Sequence, residues 1–234
     1  MKRIIGIAGA VLVVAVAGGA IWWFGQGNEA PTVGATAPPL ETTSTMPTGT
    51  TAPSDPASVA VAYQLADETT ATFTLTEELR GTPKTVTGVS GIVLGEVVVD
   101  PAHPRSLRMG TVLVNARDFT TDSGNRNRAI RGPILAADTF EDIEFSPTSI
   151  DGLPDGPADD LSFTVTGDLT IRDVTNPVTF EVTLSADDPT RIVGTAVATV
   201  DRTDWGLNIP SAPGVANVAE EVRLTLDIVA VPTG

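Results

Sequence analysis

Across residues 161–184, apolar and polar side chains alternate, pause at a turn and alternate again. Leu161, Phe163, Val165, Leu169 and Ile171 fall on one side of the first half, and Val178, Phe180, Val182 and Leu184 on one side of the second. A period of two belongs to a strand with one buried face, so the pattern predicts a hairpin of two half-buried strands. Residues 71–79 repeat it, with Phe73 and Leu75 alternating against Thr72 and Thr74, as do residues 110–116, 191–200 and 221–230. Residues 91–99 are apolar on both faces over most of their length and read as one further strand. Turn residues gather in the stretches DPAHP, DGLPDG, DVTNP and DDPT, where Asp, Gly and Pro supply the backbone conformations a reversal needs. One segment breaks the period: in TTDSGNRNRAIRGP, Asp122 or Ser123 can cap a short helix that Gly132 and Pro133 should end. About eight strands at this spacing predict an all-β chain with one short helix, folded as an antiparallel barrel or sandwich.

If the alternation holds, a barrel interior receives Phe73, Leu75, Val112, Val114, Phe163, Val165, Phe180 and Val182. A barrel of about eight strands is either filled by its own side chains or holds one small ligand. Small lining residues favour an elongated apolar guest, yet a packed core is equally consistent with the pattern, and both readings stay open. Trp205, in DRTDWGLNIP, belongs either to a cavity mouth or to core packing.

Ahead of the strands the pattern changes twice. Residues 4–24 carry no charge and follow Lys2 and Arg3. At 1.5 Å per residue such a run spans the roughly 30 Å of a bilayer's hydrocarbon core. Trp22 and Trp23 stand at its far end, where indoles favour the interface, and the basic pair predicts an outward-facing remainder. The reading is a transmembrane signal anchor over residues 1–24, making the chain single-pass in the cell membrane. The alternative is a secreted protein whose signal peptide is cleaved near Ala15-Val16-Ala17. Residues 25–58, rich in Thr, Pro and Ala, cannot bury enough apolar surface to offset ordering and read as a disordered linker. The barrel domain is expected over residues 59–231.

Composition narrows the chemistry. Without cysteine there is no disulfide, thiol nucleophile or cysteine metal site. The formal net charge of -15 repels phosphate backbones, so no nucleic-acid partner is expected. His103 is the only histidine and sits in a turn. No nucleophile elbow, phosphate loop, dinucleotide fingerprint or zinc-protease motif occurs, so neither catalytic residues nor cofactors nor a metal are expected. The acidic stretch DGLPDGPADDLS departs from a calcium loop: Leu153 and Ser162 stand where ligands belong. Adjacent acids such as Glu77 and Glu78 point to opposite faces of a strand and do not cooperate. Arg126, Arg128 and Arg131, with Arg117 nearby, form the one dense basic spot. They suit either a lipid headgroup or pairing with the surplus carboxylates.

Several stretches together are similar to the YceI-like family. They are YQLADETTATFTLTEELRG followed by TVTGVSGIVLGEVVVD, then VNARDFTTDSGNRNRAIRGPIL, FEDIEFSPTSI, VTGDLTIRDVTNPVTFEVTL, and finally DRTDWGLNIP with EEVRLTLDIVA. The resemblance spans roughly residues 59–231 and implies a lipocalin-like β-barrel that binds polyisoprenoid lipid without catalysis. For such a lipid the interior positions above, with Trp205, are the expected contacts, and Arg126, Arg128 and Arg131 the expected headgroup contacts. Many members carry an Arg-Asp-x-His-Leu-Arg pattern in the helix; Asn127 and Ala129 stand here in place of the acid and the histidine. The expectation is a membrane-tethered, extracytoplasmic binder of an isoprenoid-like apolar lipid. The alternative is a cell-surface structural or interaction domain with a filled barrel and no ligand. The oligomeric state is not legible.

Overall fold

The computed structural model describes residues 60–233 apart from 159 and 189. The expected membrane anchor and linker lie outside the described residues. In chain order the strands are β1 (Val61–Leu65), β2 (Thr70–Leu79), β3 (Thr82–Ser90), β4 (Val93–Leu94), β5 (Glu96–Val99), β6 (Arg108–Met109) and β7 (Val112–Asn115). After one short helix, α1 (Gly124–Ala129), come β8 (Asp142–Asp151), β9 (Asp160–Ile171), β10 (Val174–Asp188), β11 (Arg191–Asp201), β12 (Val215–Ala216) and β13 (Glu221–Pro232).

These 13 strands form one antiparallel sheet. Several lie end to end, so they fill fewer places in its wall. Along β13, β1 and β2 succeed one another, Tyr63 standing opposite Pro232 and Phe73 opposite Leu224. On their far side β3 pairs with β2 and β5 pairs with β1, so β3, β4 and β5 make one run. That run meets β7 through β4 and β6 through β5. The pairing continues from β7 through β8, β9, β10 and β11 to β13. Because β4 and β5 are separated only by Gly95, the two ends of the path meet and the sheet curls into a barrel.

The breaks have local causes. Between β1 and β2 the fully buried Thr69 replaces a strand neighbour: its hydroxyl donates to the Val229 carbonyl at 2.8 Å and accepts from the Val229 N–H at 3.1 Å. The Ala66 N–H also reaches the Val229 carbonyl, at 2.8 Å, so Thr69 chiefly supplies a partner for the Val229 N–H. Residues 91–99, expected as one strand, are instead split at Gly95, where an added Cβ would lie 3.0 Å from Leu65 Cδ1.

The expected hairpin is present. Val178, Phe180, Val182 and Leu184 stand opposite Gly167, Val165, Phe163 and Leu161, and Leu161, Phe163, Val165, Leu169 and Ile171 are all buried. Its turn is not DVTNP but the pair Arg172 and Asp173, with Arg172 at φ 59°. Asn176 and Pro177 belong to β10. Pro177 is tolerated because β10 pairs only with β9 there; its pairing to β11 starts at Glu181.

The helix also differs from expectation at its end. Ser123 is the N-cap, and α1 runs on into a wider turn over Ile130–Ile134 that contains Pro133. Here Leu135 N–H reaches the Ile130 carbonyl at 2.9 Å, a longer loop of chain than an α-turn closes, which accommodates a residue without an N–H. Chain reversal waits for Ala136, at φ 48°, where Ala136 and Ala137 N–H groups close back on Gly132 and Arg131.

Candidate functional site

Within the barrel wall lies an apolar, partly open cavity of about 130 Å³. Period-two alternation puts its lining there: Ala71 and Phe73 from β2, Val112 and Val114 from β7, Val165, Leu169 and Ile171 from β9, and Phe180 and Val182 from β10. Ala196, Leu224, Leu226 and Ile228 also line it, and among the described residues Thr72 and Thr225 are the only polar ones in the lining. An apolar lining of this kind suits an apolar guest.

Two glycines shape the lumen. Gly88 stands opposite Phe73 across the β2–β3 ladder, and a Cβ there would fall 2.2 Å from the Phe73 ring. Gly167 lies beside Phe145 in the same manner, its virtual Cβ 2.6 Å from that ring and 2.5 Å from the Ser146 carbonyl oxygen. Each ring can therefore lie down against the wall instead of standing across the interior. Phe145 packs edge-on against Phe180 with centroids 5.0 Å apart, and Phe73 meets Phe119 at 5.5 Å.

Phe119 comes from the segment of residues 117–140 that joins β7 to β8 and carries α1. This segment is fastened to the barrel at several points. Thr120 pairs with Val89 of β3, both N–H···O distances being 2.9 Å. The Asp118 carboxylate accepts the Gly91 N–H at 2.7 Å and the Ser90 hydroxyl at 3.2 Å. Arg126 donates to Glu77 at 2.6 Å and also to Asp122, which in turn takes Lys84 Nζ at 2.5 Å. Glu77 and Lys84 are themselves cross-strand neighbours on β2 and β3. The Lys84 hydrogen bond is the main reason that the Asp122 carboxyl titrates below its ordinary range; partial burial opposes the shift and the Arg126 charge adds to it. Asn127 ties the segment to itself: its Oδ1 accepts the Thr121 N–H at 2.8 Å and the Thr121 hydroxyl at 2.6 Å.

Of the positions expected to contact lipid, Phe73, Val112, Val114, Val165, Phe180 and Val182 share the cavity. Phe163 is buried in the core but is not part of the lining, and Leu75 is only half-buried and outside it. Trp205 is 2% exposed and donates its indole N–H to the Leu169 carbonyl at 3.0 Å, so it packs rather than lines. Arg202 beside it is held by the carbonyls of Ala219 and Leu207 and not by the acids of its own stretch. The three expected headgroup arginines are all engaged: Arg126 as above, Arg128 with Asn125 at 3.0 Å, and Arg131 with the Phe119 carbonyl at 3.2 Å. Met109, Phe119, Ile143 and Phe145 line the cavity without having been expected. The period-two signal was present around Ile143 and Phe145; no periodic signal marked Phe119, which lies in a loop.

No group of His, Asp and Glu among the described residues is arranged to hold a metal ion. Asp100, 3% exposed, accepts from Ala102 N–H and meets His103 Nδ1, both at 3.0 Å, an arrangement that closes a turn.

Comparison with known proteins agrees with this architecture. The YceI-like domain family pattern matches residues 63–230. A UPF0312 protein of Pseudomonas putida is 30% identical over 118 residues, covering 48% of this chain and 59% of the relative, so the chain spans little over half of that relative's length. The crystal structure of Burkholderia cenocepacia BcnA superposes with a TM-score of 0.57 at 18% identity, covering 71% of this chain and 99% of that one. A polyisoprenoid binding domain from Saccharophagus degradans gives 0.55 at 15% identity, covering 74% and 99%. These likenesses establish the fold, and with the family match over residues 63–230 the chain belongs to the YceI-like domain family.

Proposed function

We propose that this protein is a non-catalytic binder of an isoprenoid-like apolar lipid, held in the barrel cavity and presented outside the cytoplasm from a membrane anchor. The cavity carries the reading. A void of about 130 Å³ leaves its apolar lining without packing partners, a cost in lost contacts. An apolar guest removes that cost and gains about 25 cal/mol for each Å² taken from water. A filled core serving only structure or surface interaction would have no use for such a space. Membership of the YceI-like family, and the fold shared with a polyisoprenoid binding domain, support the choice of lipid class. The uncharged run at residues 4–24 behind Lys2 and Arg3 supports the anchor, which would keep the binder beside its lipid source. Solvent exclusion is the whole mechanism, and it requires no catalytic group.

The test is extraction. The chain purified from its own host membrane fraction is washed free of bulk lipid, denatured, and extracted into organic solvent for mass spectrometry. A stoichiometric isoprenoid is the expected result. An extract containing only the lipids of the surrounding membrane, in their bulk proportions, would refute the reading.

A further inference from the structure

Residues 117–140 lie at one rim of the barrel. Asn115 stands opposite Asp142, Glu144 opposite Thr170 and Ile171 opposite Val174, so the end of β7, the start of β8 and the β9–β10 turn share that rim. The segment buries Phe119, Ile130, Ile134, Leu135 and Ala137 in the core, and Phe119 lines the cavity. It is a cap with an apolar underside.

Its attachment is one-sided. Among the described residues its hydrogen bonds to the neighbouring wall go to β2, to β3 and to Gly91 just beyond: Thr120 with Val89, Asp118 with Ser90 and Gly91, Asp122 with Lys84, and Arg126 with Glu77. Its other hydrogen bonds stay inside the segment or reach Asn115 at its root. Towards the β9–β10 turn the contact is Phe140 with the Arg172 guanidinium, 6.0 Å from the ring centre. The two ends of the segment are clamped where the Ala116 N–H donates to the Glu141 carbonyl at 2.8 Å. Parting the segment from β3 breaks one backbone bridge, Val89 with Thr120, whereas parting β8 from β9 or β9 from β10 breaks a whole ladder.

We propose that residues 117–140 are a hinged cap that swings about the Ala116–Glu141 clamp, parts from β3 and opens the cavity at Phe119. The passage of a guest by this route rests on the lipid-binding reading above; the opening itself is measured without a guest.

The chain has no cysteine, so Ala196→Cys in the full chain puts a single thiol in the cavity wall. Its rate of reaction with methyl methanethiosulfonate reads the opening. Asp118→Ala strands no buried group, because the Ser90 hydroxyl keeps the Asn115 carbonyl at 3.2 Å and Gly91 is exposed. In that background labelling should quicken about tenfold or more, the scale of two hydrogen bonds to a carboxylate. Lys84→Met should quicken it about two- to fivefold, as an exposed ion pair allows. Arg105→Gln, which breaks the pair with Asp155 in the connection beyond the opposite end of β8, should leave it unchanged. Low urea should hardly alter the rate, since lifting the cap exposes far less surface than unfolding. A rate indifferent to Asp118→Ala, or one that climbs with urea as steeply as global unfolding, overturns the proposal. The second measurement locks the cap. Val89 and Thr120 exchange two backbone hydrogen bonds, a pairing about 5.5 Å between Cα atoms and within reach of a disulfide. Val89→Cys with Thr120→Cys, oxidised, should slow geranylgeraniol uptake at least tenfold in native mass spectrometry, and reduction should restore it. Equal uptake by the locked and reduced forms overturns the route. If wild type takes up no geranylgeraniol while labelling behaves as stated, the lipid-binding reading fails and the hinged cap stands.

Discussion

At the scale of single residues the cavity exists because two glycines let two phenylalanines lie flat. They should fail differently. An alanine at Gly167 collides with the Ser146 carbonyl, which is backbone and cannot step aside. Gly167→Ala should destabilise the domain by about 1–3 kcal/mol, read as a lower urea midpoint at unchanged slope. At Gly88 the collision is with the Phe73 ring, which can swing into the lumen. Gly88→Ala should keep most of the stability and lose lipid uptake; uptake at the wild-type level would show that the ring does not border the guest.

The Glu77–Arg126 pair makes a second prediction at this scale. Removing one partner of a buried pair leaves a stranded charge, whereas removing both leaves apolar packing. Arg126→Met should cost about 2–3 kcal/mol, the modest side of that effect because Arg126 keeps 17% exposure. The double variant Glu77→Met with Arg126→Met should recover most of it in chemical denaturation. A double variant as unstable as the single one would mean that the guanidinium is held for other reasons.

At the scale of elements, the strands were legible and the connecting segment was not. Period-two alternation marks which face of β2, β7, β9, β10 and β13 turns inward, because each strand has one wet side. It is blind to Phe119, whose inward position is set by Asp118 and Thr120 bonding to β3, contacts distant in sequence. It misplaced the β9–β10 turn because DVTNP carries stronger turn residues than Arg172 and Asp173, and only the pairing of β10 makes Pro177 harmless. Nor could it foresee that Pro133 sits inside a wide helical turn. The segment's own integrity should depend on Asn127. Asn127→Ala removes the acceptor of two hydrogen bonds from Thr121 and should cost about 1–2 kcal/mol. Amide exchange should speed up across residues 118–135 and remain slow in β9 and β10; uniform acceleration would contradict a separate fastening of this segment.

The same fastening gives a pH dependence. Asp122 titrates below its ordinary range chiefly because Lys84 hydrogen-bonds to it. A carboxyl with a depressed folded value contributes stability above its unfolded pKa of about 3.9, and that contribution disappears as pH falls through the folded value. Lys84→Met should therefore flatten the loss of stability on acidification below about pH 4. Urea midpoints measured across that range check it, and parallel wild-type and variant curves would dismiss the linkage. The effect is small because Asp122 is exposed and its partners are screened.

At the scale of the whole molecule, the barrel was visible in the sequence because strand spacing and alternation are properties of every turn of its wall. Its closure was less visible: it depends on Gly95 dividing β4 from β5 and on Thr69 standing in for a missing strand neighbour. Whether the interior is filled could not be read at all, since alternation specifies which residues face inward and not how far their side chains reach. Here the lining of small and flattened residues leaves space.

The most direct measurement is native mass spectrometry of the full chain with geranylgeraniol, wild type beside Ala196→Phe. Ala196 lines the cavity and is one of its smallest side chains, so a ring there occupies the space that a lipid would use. Wild type should show a non-covalent adduct that vanishes on denaturation, and Ala196→Phe none at unchanged far-ultraviolet circular dichroism. An adduct equally abundant on both, or on neither, would contradict the claim that this cavity is where the protein holds its lipid.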